Sequence, residues 1–455
     1  MSDNRSLLTD EQMKRFIVDG YVVVHADHPE EFHQKIFQDA EALYADEGNP
    51  GNSLTEKIPD LLKIWKHPAV DGALRSILGP GYVMHPHRHG HLSPPQSAEQ
   101  SFHLDSYEAD ENMRHHRCRW VLALYYPQDV EVENGPTQVL EGSQYHTWAP
   151  DRSDQVQLPF TGPAGSVMII HYELWHRAMP NLGDRNRFMM KFLFFRVNEP
   201  EQPVWNAVSE EADGNGWESP HFDTDLYHPM WNSIWAWHCG KTDQPSAAED
   251  TEMDELIAAL SDESEAVRLN AAYRLAAHGE IAVPALIEEL RRESESKRDR
   301  NLEARYTNPS QLLSVYALSA IGLPAVPPLT ILLGHEDWWV RAAAADALGD
   351  IGPLAVPSVP SLTRLLTDPS EWVRRNAAES LGIIGHPAEE TVTGLTEALS
   401  DDHPYVRLNA TMSLVRLKRE TNAVDSGLRL ALDDEKYYIQ NLARDTLSSC
   451  QAEGK

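Results

Sequence analysis

Cysteine is scarce in this chain, and the spacing of its few cysteines excludes two kinds of site. The 455 residues contain three, Cys118, Cys239 and Cys450, too few for the disulfide framework that staples small secreted domains. None of them belongs to a CxxC pair, so the usual zinc-binding spacing is missing as well. We therefore expect the protein to work in a reducing compartment, the cytoplasm.

Long apolar runs are also missing. The longest, such as Val121–Tyr126, are far shorter than the ~20 residues that a bilayer-spanning helix needs. The opening residues MSDNRSLLTDEQ lack the apolar segment that is typical of a secretory leader. From this sequence we expect neither a leader nor a membrane span.

Basic residues are few relative to acidic ones. Lys and Arg number 39 against 70 Asp and Glu, which gives a formal net charge of −31. Non-specific binding to nucleic acid or to an anionic membrane needs a basic surface. The charge balance argues against both partners, and it predicts that any anionic ligand is met by a local basic cluster.

Histidine, by contrast, is abundant and unevenly distributed. Of the 21 histidines, 17 lie before residue 245. Histidine is a common metal ligand and proton carrier. We therefore expect the first part of the chain to carry the chemistry.

The second part of the chain contains an internal repeat. A β-branched residue, with an aromatic before it and a leucine eight residues after it, recurs every 33 residues at Val340, Val373, Val406 and Ile439. Apolar and small residues within a unit follow one helical face, and Gly/Pro breaks divide each unit into two helices. We predict an all-α HEAT-like solenoid of about six repeats over residues 251–455, preceded by a linker at 242–250.

Charged residues of the repeats allow two interpretations. Arg–Asp pairs, for example Arg374 with Asp368, are expected to form packing ladders between neighbouring units. The alternative is a concave surface that binds a protein partner or a second copy of the chain, as repeat arrays do. No residue of the array identifies such a partner.

The first part begins with helices and continues with short strands. Thr9 and Gln12 fit a capping box at the start of a helix that ends at Gly20. Further helices are predicted over 30–47 and 60–78. After them, short apolar runs such as 101–107 alternate with turn residues, which predicts a sandwich or barrel. A Trp-rich extension follows at 198–241, so that we place one domain over residues 1–241.

A metal site is indicated by three residues in the first part. His103 and Asp105 are two positions apart, so in a strand both side chains point to the same face. His176 completes two histidines and one carboxylate, a set that suits non-haem Fe(II) with open coordination positions. His171 is the weaker alternative, because Arg187 follows it by sixteen positions and follows His176 by eleven. The Arg187 guanidinium can bind a carboxylate with two parallel hydrogen bonds.

These motifs resemble those of a known family. His103-x-Asp105, the segment Asn134–Gln144, and His176 with Arg187 eleven positions later are similar to the phytanoyl-CoA dioxygenase family. The resemblance covers about residues 7–197. It implies an Fe(II)/2-oxoglutarate-dependent oxygenase on a double-stranded β-helix (cupin-type jelly roll) with flanking helices.

The resemblance also implies roles for individual residues. His103, Asp105 and His176 would hold Fe(II), and Arg187 would bind the distal carboxylate of 2-oxoglutarate; Gln100 and Thr137 are further expected cosubstrate contacts. With O2 as the second cosubstrate, the reaction expected is hydroxylation of a C–H bond of a small-molecule substrate, with release of succinate and CO2. Asp105 sets the chain apart from the halogenase branch, which lacks this carboxylate.

Other histidines keep two interpretations each. His85, His87, His89 and His91 alternate, so an extended chain would place all four on one face. They form either a polar wall of the substrate cavity or, as we favour, ordinary strand and turn residues. His115 and His116 are expected to be loop residues, with substrate binding as the alternative.

Two hypotheses from other functional classes compete with the oxygenase. The first is an interaction scaffold built on the HEAT-like array, with a vestigial or regulatory oxygenase domain. The second is a bilin lyase, which the array alone suggests and which the first part of the chain does not support.

Overall fold

A computed structural model of the protein describes residues 6–105, 115–147, 156–208, 216–241, 252–300, 309, 312–418 and 421–453. Its contacts divide the chain into two compact units. The first comprises residues 1–106, 118–196 and 202–222, and the second comprises 107–117, 197–201 and 223–455. The linker expected at 242–250 lies outside the described residues, and the domain boundaries drawn from the sequence stay a prediction.

The described residues of the first unit contain eight strands, which form two antiparallel sheets. In chain order they are β1 (Tyr21–His25), β2 (Val83–Ser93), β3 (Trp120–Tyr125), β4 (Thr137–Leu140), β5 (Gln157–Pro159), β6 (Ser166–His171), β7 (His176–Ala178) and β8 (Arg187–Phe195). The larger sheet has the order β1-β6-β3-β8-β2 and the smaller one the order β5-β4-β7. This arrangement confirms the predicted jelly-roll core.

The two faces of strand β8 carry different kinds of side chain: aromatic residues on one face and cationic residues on the other. All nine of its residues are buried. On one face, Phe192 and Phe194 contact Trp65, with ring centroids 4.3 and 5.7 Å apart. Successive side chains of a strand point to opposite faces, so Arg187 and Lys191 lie on the other face. We call that other side the inner face of the large sheet.

Where the structure describes the first unit, it has five α-helices: α1 (Asp10–Asp19), α2 (Glu30–Asp46), α3 (Leu54–Lys57), α4 (Leu61–Trp65) and α5 (Pro68–Leu78). The predicted capping box of Thr9 and Gln12 is present, and Gly20 ends α1 in the left-handed conformation. The single helix expected over 60–78 is wrong. The chain forms two helices there, because Pro68 starts a new helix with His67 as its N-cap.

The described part of the array predicted over 251–455 is helical, as expected, and one more helix of the second unit precedes it. The helices are α6 (Thr224–His238), α7 (Met253–Ala259), α8 (Glu265–Ala277), α9 (Val283–Arg300), α10 (Leu313–Ile321), α11 (Val326–Leu332), α12 (Trp338–Ile351), α13 (Val359–Leu365), α14 (Glu371–Ile384), α15 (Glu389–Glu397), α16 (Pro404–Leu417), α17 (Asp425–Ala431) and α18 (Tyr437–Glu453). Helix α6 comes from the Trp-rich extension and packs on α8, where Asn270 donates a hydrogen bond to the carbonyl oxygen of Leu226 at 2.7 Å.

Close contact between equivalent helices holds the repeats together. Ser380 of α14 donates to the carbonyl oxygen of Ala345 in α12 at 2.7 Å, and Ser413 of α16 donates to that of Ala378 in α14 at 2.6 Å. A glycine faces each serine. A Cβ atom at Gly382 would overlap the side chain of Ser413, so the helices can approach this closely only where the side chain is absent.

The Arg–Asp ladder is present, but with a different pairing from the one expected. Each arginine binds the aspartate that follows it by 27 residues, through Nε–Oδ2 distances of 2.7 to 2.8 Å, in the pairs Arg341–Asp368, Arg374–Asp401 and Arg407–Asp434. The expected pairing of Arg374 with the Asp368 carboxylate is wrong. Arg374 donates to the backbone carbonyl of Asp368 instead, because the carboxylate is already bound by Arg341 of the preceding repeat.

The segment around His116 belongs to the second unit. The His116 ring stacks on Tyr316 with centroids 3.9 Å apart, and its Nδ1 lies 2.7 Å from the hydroxyl of Tyr273. Arg117 donates to the carbonyl oxygen of Ser319 at 3.1 Å. These contacts give His116 and its neighbour a packing role.

No single helix in the described residues is long and apolar enough to cross a membrane. One pair, Leu313–Ile321 with Leu323–Leu332, meets the length and composition test only when its two parts are joined, and they meet at an angle of 117°.

We expect Gly382→Ala to destabilise the array by about 1–3 kcal/mol, because the added methyl group overpacks the contact between α14 and α16. Gly334→Ala is the matched control. A Cβ there would have the carbonyl oxygen of Ile331, 3.6 Å away, as its nearest neighbour. The urea midpoint of unfolding of each variant is measured by far-ultraviolet circular dichroism. Equal midpoints for the two variants would contradict the close-contact interpretation.

Candidate metal centre

The described part of the segment that carries His103 and Asp105, residues 101–105, does not form the strand that the sequence predicts there. Of its described residues, His103 alone forms a bridge, which is antiparallel and pairs it with His176. The two backbones exchange hydrogen bonds of 2.9 and 3.0 Å. Because His176 begins β7, this bridge places the HxD segment at the edge of the small sheet and fixes the two imidazoles side by side.

His103, Asp105 and His176 are brought together as the sequence predicts. The Nε2 atom of His103 lies 4.0 Å from Asp105 Oδ1, and Nε2 of His176 lies 3.7 Å from Asp105 Oδ2. One nitrogen or oxygen atom from each residue lies within 4.8 Å of the other two, and among the described residues no other such group of His, Cys, Asp and Glu is found.

Backbone carbonyls orient both imidazoles. Nδ1 of His103 lies 2.9 Å from the carbonyl oxygen of Ser101, and Nδ1 of His176 lies 2.8 Å from that of Leu174. A ring that donates from Nδ1 keeps the lone pair on Nε2, which is the nitrogen that faces Asp105. Metal-binding histidines are commonly held in this way by a second hydrogen bond.

Burial differs among the three residues. Asp105 and His176 are buried, whereas the side chain of His103 keeps about a third of its surface exposed. Burial lowers the pKa of His176, with the Asp105 charge acting in the opposite direction. The neutral imidazole is the form that can bind a metal, so the environment favours the ligating state.

Sequence analysis missed one residue of this centre, Lys191. Its ammonium group donates to Asp105 Oδ2 at 2.8 Å, and both side chains are at most 3% exposed. The sequence did contain a clue to Lys191. It lies four residues after Arg187 in a predicted strand, and side chains four positions apart in a strand point to the same face. The hydroxyl of Tyr172 also reaches this residue and donates to the backbone carbonyl of Asp105 at 2.9 Å.

Arg187 is buried at the start of β8, on the same face as Lys191. Its Nε donates to the carbonyl oxygen of Gly135 at 2.9 Å. Gly135 has a φ of 68°, and a Cβ there would lie 2.9 Å from backbone atoms of Met179 and Asn181. Glycine is therefore required in this turn, which presents its carbonyl to the guanidinium. Burial lowers the pKa of Arg187, and the guanidinium remains a cation because its ordinary pKa is so high.

Thr137 and Gln100 both lie beside Ala178, the last residue of β7. Thr137 pairs with Ala178 across β4 and β7, and its hydroxyl accepts a hydrogen bond from Tyr126 at 2.7 Å. The side-chain oxygen of Gln100 accepts a hydrogen bond from the backbone N–H of Ala178 at 3.2 Å. Both residues therefore lie near the strand of His176, and the Gln100 side chain is engaged in binding that strand.

The alternating histidines lie on β2. The register places His89 opposite Lys191 and His91 opposite Met189, so both share the inner face with Lys191. Burial lowers the pKa of His87 and of His91 to about 3 each, and the charges of Lys191 and Asp105 act on both. These residues are thus part of the surroundings of Asp105.

His171 does not join the triad. It ends β6, where it pairs with Val121 of β3, and its Nδ1 accepts the backbone N–H of Glu173 at 3.2 Å. The structure therefore places His176, and not His171, beside His103 and Asp105.

The donor set fits a non-haem iron. Two imidazole nitrogens and one carboxylate on one side of a metal ion leave positions open for a cosubstrate and O2. The backbone carbonyls beside both Nδ1 atoms and the Lys191 ammonium group on Asp105 are supporting groups of the kind that such a ligand set needs.

Comparison of the sequence with protein families gives two matches. The family described as phytanoyl-CoA dioxygenase (PhyH) matches residues 5–189. HEAT repeats match residues 326–415 and 359–448. No curated protein matches the chain at a significant level.

Several solved structures are similar to part of the chain. The non-haem α-ketoglutarate-dependent carbocyclase SnoK from nogalamycin biosynthesis is 18% identical and matches 47% of this chain and 92% of its own, with a TM-score of 0.37. EctD from S. alaskensis, solved with 2-oxoglutarate and 5-hydroxyectoine, is 18% identical over 45% of this chain and 82% of its own, with a TM-score of 0.38. The epimerase SnoN, solved with Fe3+ and α-ketoglutarate, is 17% identical over 42% and 84%, with a TM-score of 0.36.

The family matches agree with the fold and with the residues described above. The matches identify residues 5–189 as a phytanoyl-CoA dioxygenase (PhyH) domain and residues 326–448 as HEAT repeats.

Proposed function

We propose that the protein is a non-haem Fe(II)- and 2-oxoglutarate-dependent dioxygenase that hydroxylates a C–H bond of a small-molecule substrate. Succinate and CO2 would be released. The observation that carries the proposal is the convergence of His103, Asp105 and His176, whose candidate ligand atoms lie within 4.8 Å of one another. The domain match supports the same class of chemistry.

His103, Asp105 and His176 would hold Fe(II). Iron bound together with 2-oxoglutarate and O2 supplies the oxidising power of such an enzyme, and the protein orients the reactants and excludes water. The backbone carbonyls that hold both Nδ1 atoms would keep the imidazoles in the geometry that the metal needs. Lys191 would hold the Asp105 carboxylate through Oδ2 and leave Oδ1 available to the metal.

Arg187 would bind the distal carboxylate of 2-oxoglutarate. A buried guanidinium can form two charge-assisted hydrogen bonds to a carboxylate, and the exclusion of water strengthens them. The Gly135 carbonyl would fix the orientation of the guanidinium. Thr137 and Gln100, which lie beside β7, would be further contacts of the cosubstrate.

An apolar wall would keep water out of the reaction. Leu124 lies opposite Lys191 on β3, and Met168 lies opposite Leu124 on β6, so both share the inner face of the large sheet. Both are fully buried. Apolar side chains that line an oxidation site limit side reactions with solvent.

The array supports a second candidate, an interaction scaffold. HEAT repeats bind proteins through extended surfaces, and an open groove of about 990 Å³ lies on the array, lined by Arg364, Glu389, Glu397 and neighbouring residues. A protein partner or a second copy of the chain would bind there. This candidate gains support if a variant without Asp105 keeps the cellular role of the protein.

We also propose a cytoplasmic location, with a domain over residues 1–241 and an array over 251–455. Cys118 and Cys239 are buried free thiols, which suits a reducing compartment. Neither nucleic acid nor a membrane is proposed as a partner, because the net charge of −31 disfavours both.

Asp105→Ala is expected to lower Fe(II) affinity at least tenfold and to reduce succinate formation to background, because it removes the carboxylate of the metal site. Iron content after equilibrium dialysis and succinate release with 2-oxoglutarate measure the two effects. Asp105→Asn, which keeps the hydrogen bond from Lys191 to a side-chain oxygen, should behave in the same way. The exposed Asp184→Ala is the matched control. Undiminished iron binding in the Asp105 variants would rule out the assigned ligands.

Arg187→Lys is expected to raise the KM for 2-oxoglutarate at least tenfold while Fe(II) affinity stays unchanged. A lysine cannot replace the two parallel hydrogen bonds of the guanidinium, and a charge-assisted hydrogen bond is worth about 1.5–3 kcal/mol. The exposed Arg185→Lys serves as the control. An unchanged KM in Arg187→Lys would show that the cosubstrate carboxylate binds elsewhere.

A further inference from the structure

The turn between β6 and β7, residues 172–175, contacts two of the three proposed metal ligands. Nδ1 of His176 lies 2.8 Å from the carbonyl oxygen of Leu174. The hydroxyl of Tyr172 donates a hydrogen bond to the backbone carbonyl of Asp105 at 2.9 Å. The same short turn therefore orients one imidazole and holds the main chain of the residue that carries the carboxylate.

The contact between Tyr172 and Asp105 is buried and joins distant parts of the sequence. Tyr172 is 4% exposed and Asp105 is 2% exposed, and the two residues are 67 positions apart. A hydrogen bond in a buried environment is electrostatically stronger than one in water. Because the acceptor is a main-chain carbonyl, the bond restrains the peptide group that follows Asp105, not the carboxylate itself.

Asp105 is thus held from its main chain as well as from its side chain. The Lys191 ammonium group donates to Oδ2 at 2.8 Å, whereas Tyr172 binds the backbone carbonyl. The main-chain contact restrains the direction in which Cβ points, and the side-chain contact restrains the rotamer. The distances from the carboxylate to the two imidazoles, 4.0 Å for His103 and 3.7 Å for His176, depend on both restraints.

The ring and the backbone of Tyr172 are held by other contacts, so the hydroxyl can be removed alone. Its backbone N–H donates to the carbonyl oxygen of Trp120 at 3.3 Å. Its ring centroid lies 6.4 Å from that of Trp120, which in turn lies 4.9 Å from the ring of Phe195. Tyr172→Phe keeps these contacts and removes the hydrogen bond to Asp105.

We propose that Tyr172 is a positioning residue of the metal centre, whose hydroxyl holds the main chain at Asp105 so that the carboxylate faces His103 and His176. This inference rests on the proposed function, because it takes these three residues as the metal ligands. It adds a residue that sets the metal affinity without touching the metal. Substitution of such an outer residue typically lowers metal affinity by about 10–100-fold.

The test titrates the full-length protein anaerobically with Co(II) alone, since Co(II) accepts the nitrogen and oxygen ligands that suit Fe(II). Its visible ligand-field absorption reports the affinity and the coordination together. We expect Tyr172→Phe to bind Co(II) about tenfold more weakly than the wild-type protein, with an altered band, because the carboxylate is less well held. Wild-type affinity with an unchanged band would overturn the inference. Loss of the wild-type circular dichroism spectrum would do so too, because the hydroxyl would then be needed for folding itself.

Tyr145→Phe is the matched control. Tyr145 is 5% exposed, and its hydroxyl donates to the backbone carbonyl of Ile17 in α1 at 2.7 Å. The substitution removes the same group from a similarly buried position, but its acceptor does not belong to a proposed metal ligand. This variant should keep the wild-type Co(II) affinity and band. An equal loss of affinity in Tyr145→Phe and Tyr172→Phe would overturn the assignment to Tyr172.

A double variant shows whether the hydroxyl acts through Asp105. In the Asp105→Ala background the carboxylate is absent, and His103 and His176 alone would bind Co(II). Tyr172→Phe should then cause no further loss of affinity, because coupled residues have non-additive effects. The same fold loss in both backgrounds would show that the hydroxyl acts elsewhere in the fold and would contradict the positioning role.

The titration also separates the two proposals. If the wild-type protein binds no Co(II), the three residues do not form a metal site and the proposed function fails. If the wild-type protein binds Co(II) and Tyr172→Phe binds it equally well, the metal site stands and the positioning role of Tyr172 fails.

Discussion

The candidate metal centre depends on one backbone interaction, the antiparallel bridge between His103 and His176. Its two hydrogen bonds, of 2.9 and 3.0 Å, join a segment that is otherwise outside the sheets to the edge strand β7. Because the two residues are 73 positions apart in the sequence, the bridge exists only once the jelly roll has formed. The centroids of the two imidazoles then lie 4.7 Å apart. Asp105, two residues after His103, lies within 4.0 Å of the Nε2 atoms of both histidines.

The fold thus divides the strands by function. Aromatic residues on one face of β8 pack against the helices, while the inner face holds Arg187 and Lys191 among the apolar side chains of β3 and β6. A rigid, fully buried strand places charged groups more accurately than a loop does. The same alternation places His89 of β2 opposite Lys191 and His91 opposite Met189, so both histidines share the inner face with these cations.

Much of the fold and of the candidate metal centre could be predicted from the sequence, because the patterns that indicate them are short motifs or regular repeats. The HxD motif, the spacing from His176 to Arg187 and the 33-residue repeat are all visible along the chain. Lys191 could not be assigned in the same way, because its importance comes from a partner 86 positions away. The pairing of Arg374 was misjudged for a related reason: the nearest acid in sequence, Asp368, is already bound by Arg341, and only the packed repeats show this.

The net charge of −31 predicted that an anionic ligand would need a local basic cluster, and the inner face of the large sheet supplies one. The central claim is that this face and the HxD segment together bind iron and 2-oxoglutarate. The most direct measurement is an anaerobic titration of the wild-type protein with Fe(II) in the presence of 2-oxoglutarate, followed by visible absorption. We expect a charge-transfer band that saturates at a single iron per chain. No band and no bound iron would contradict it.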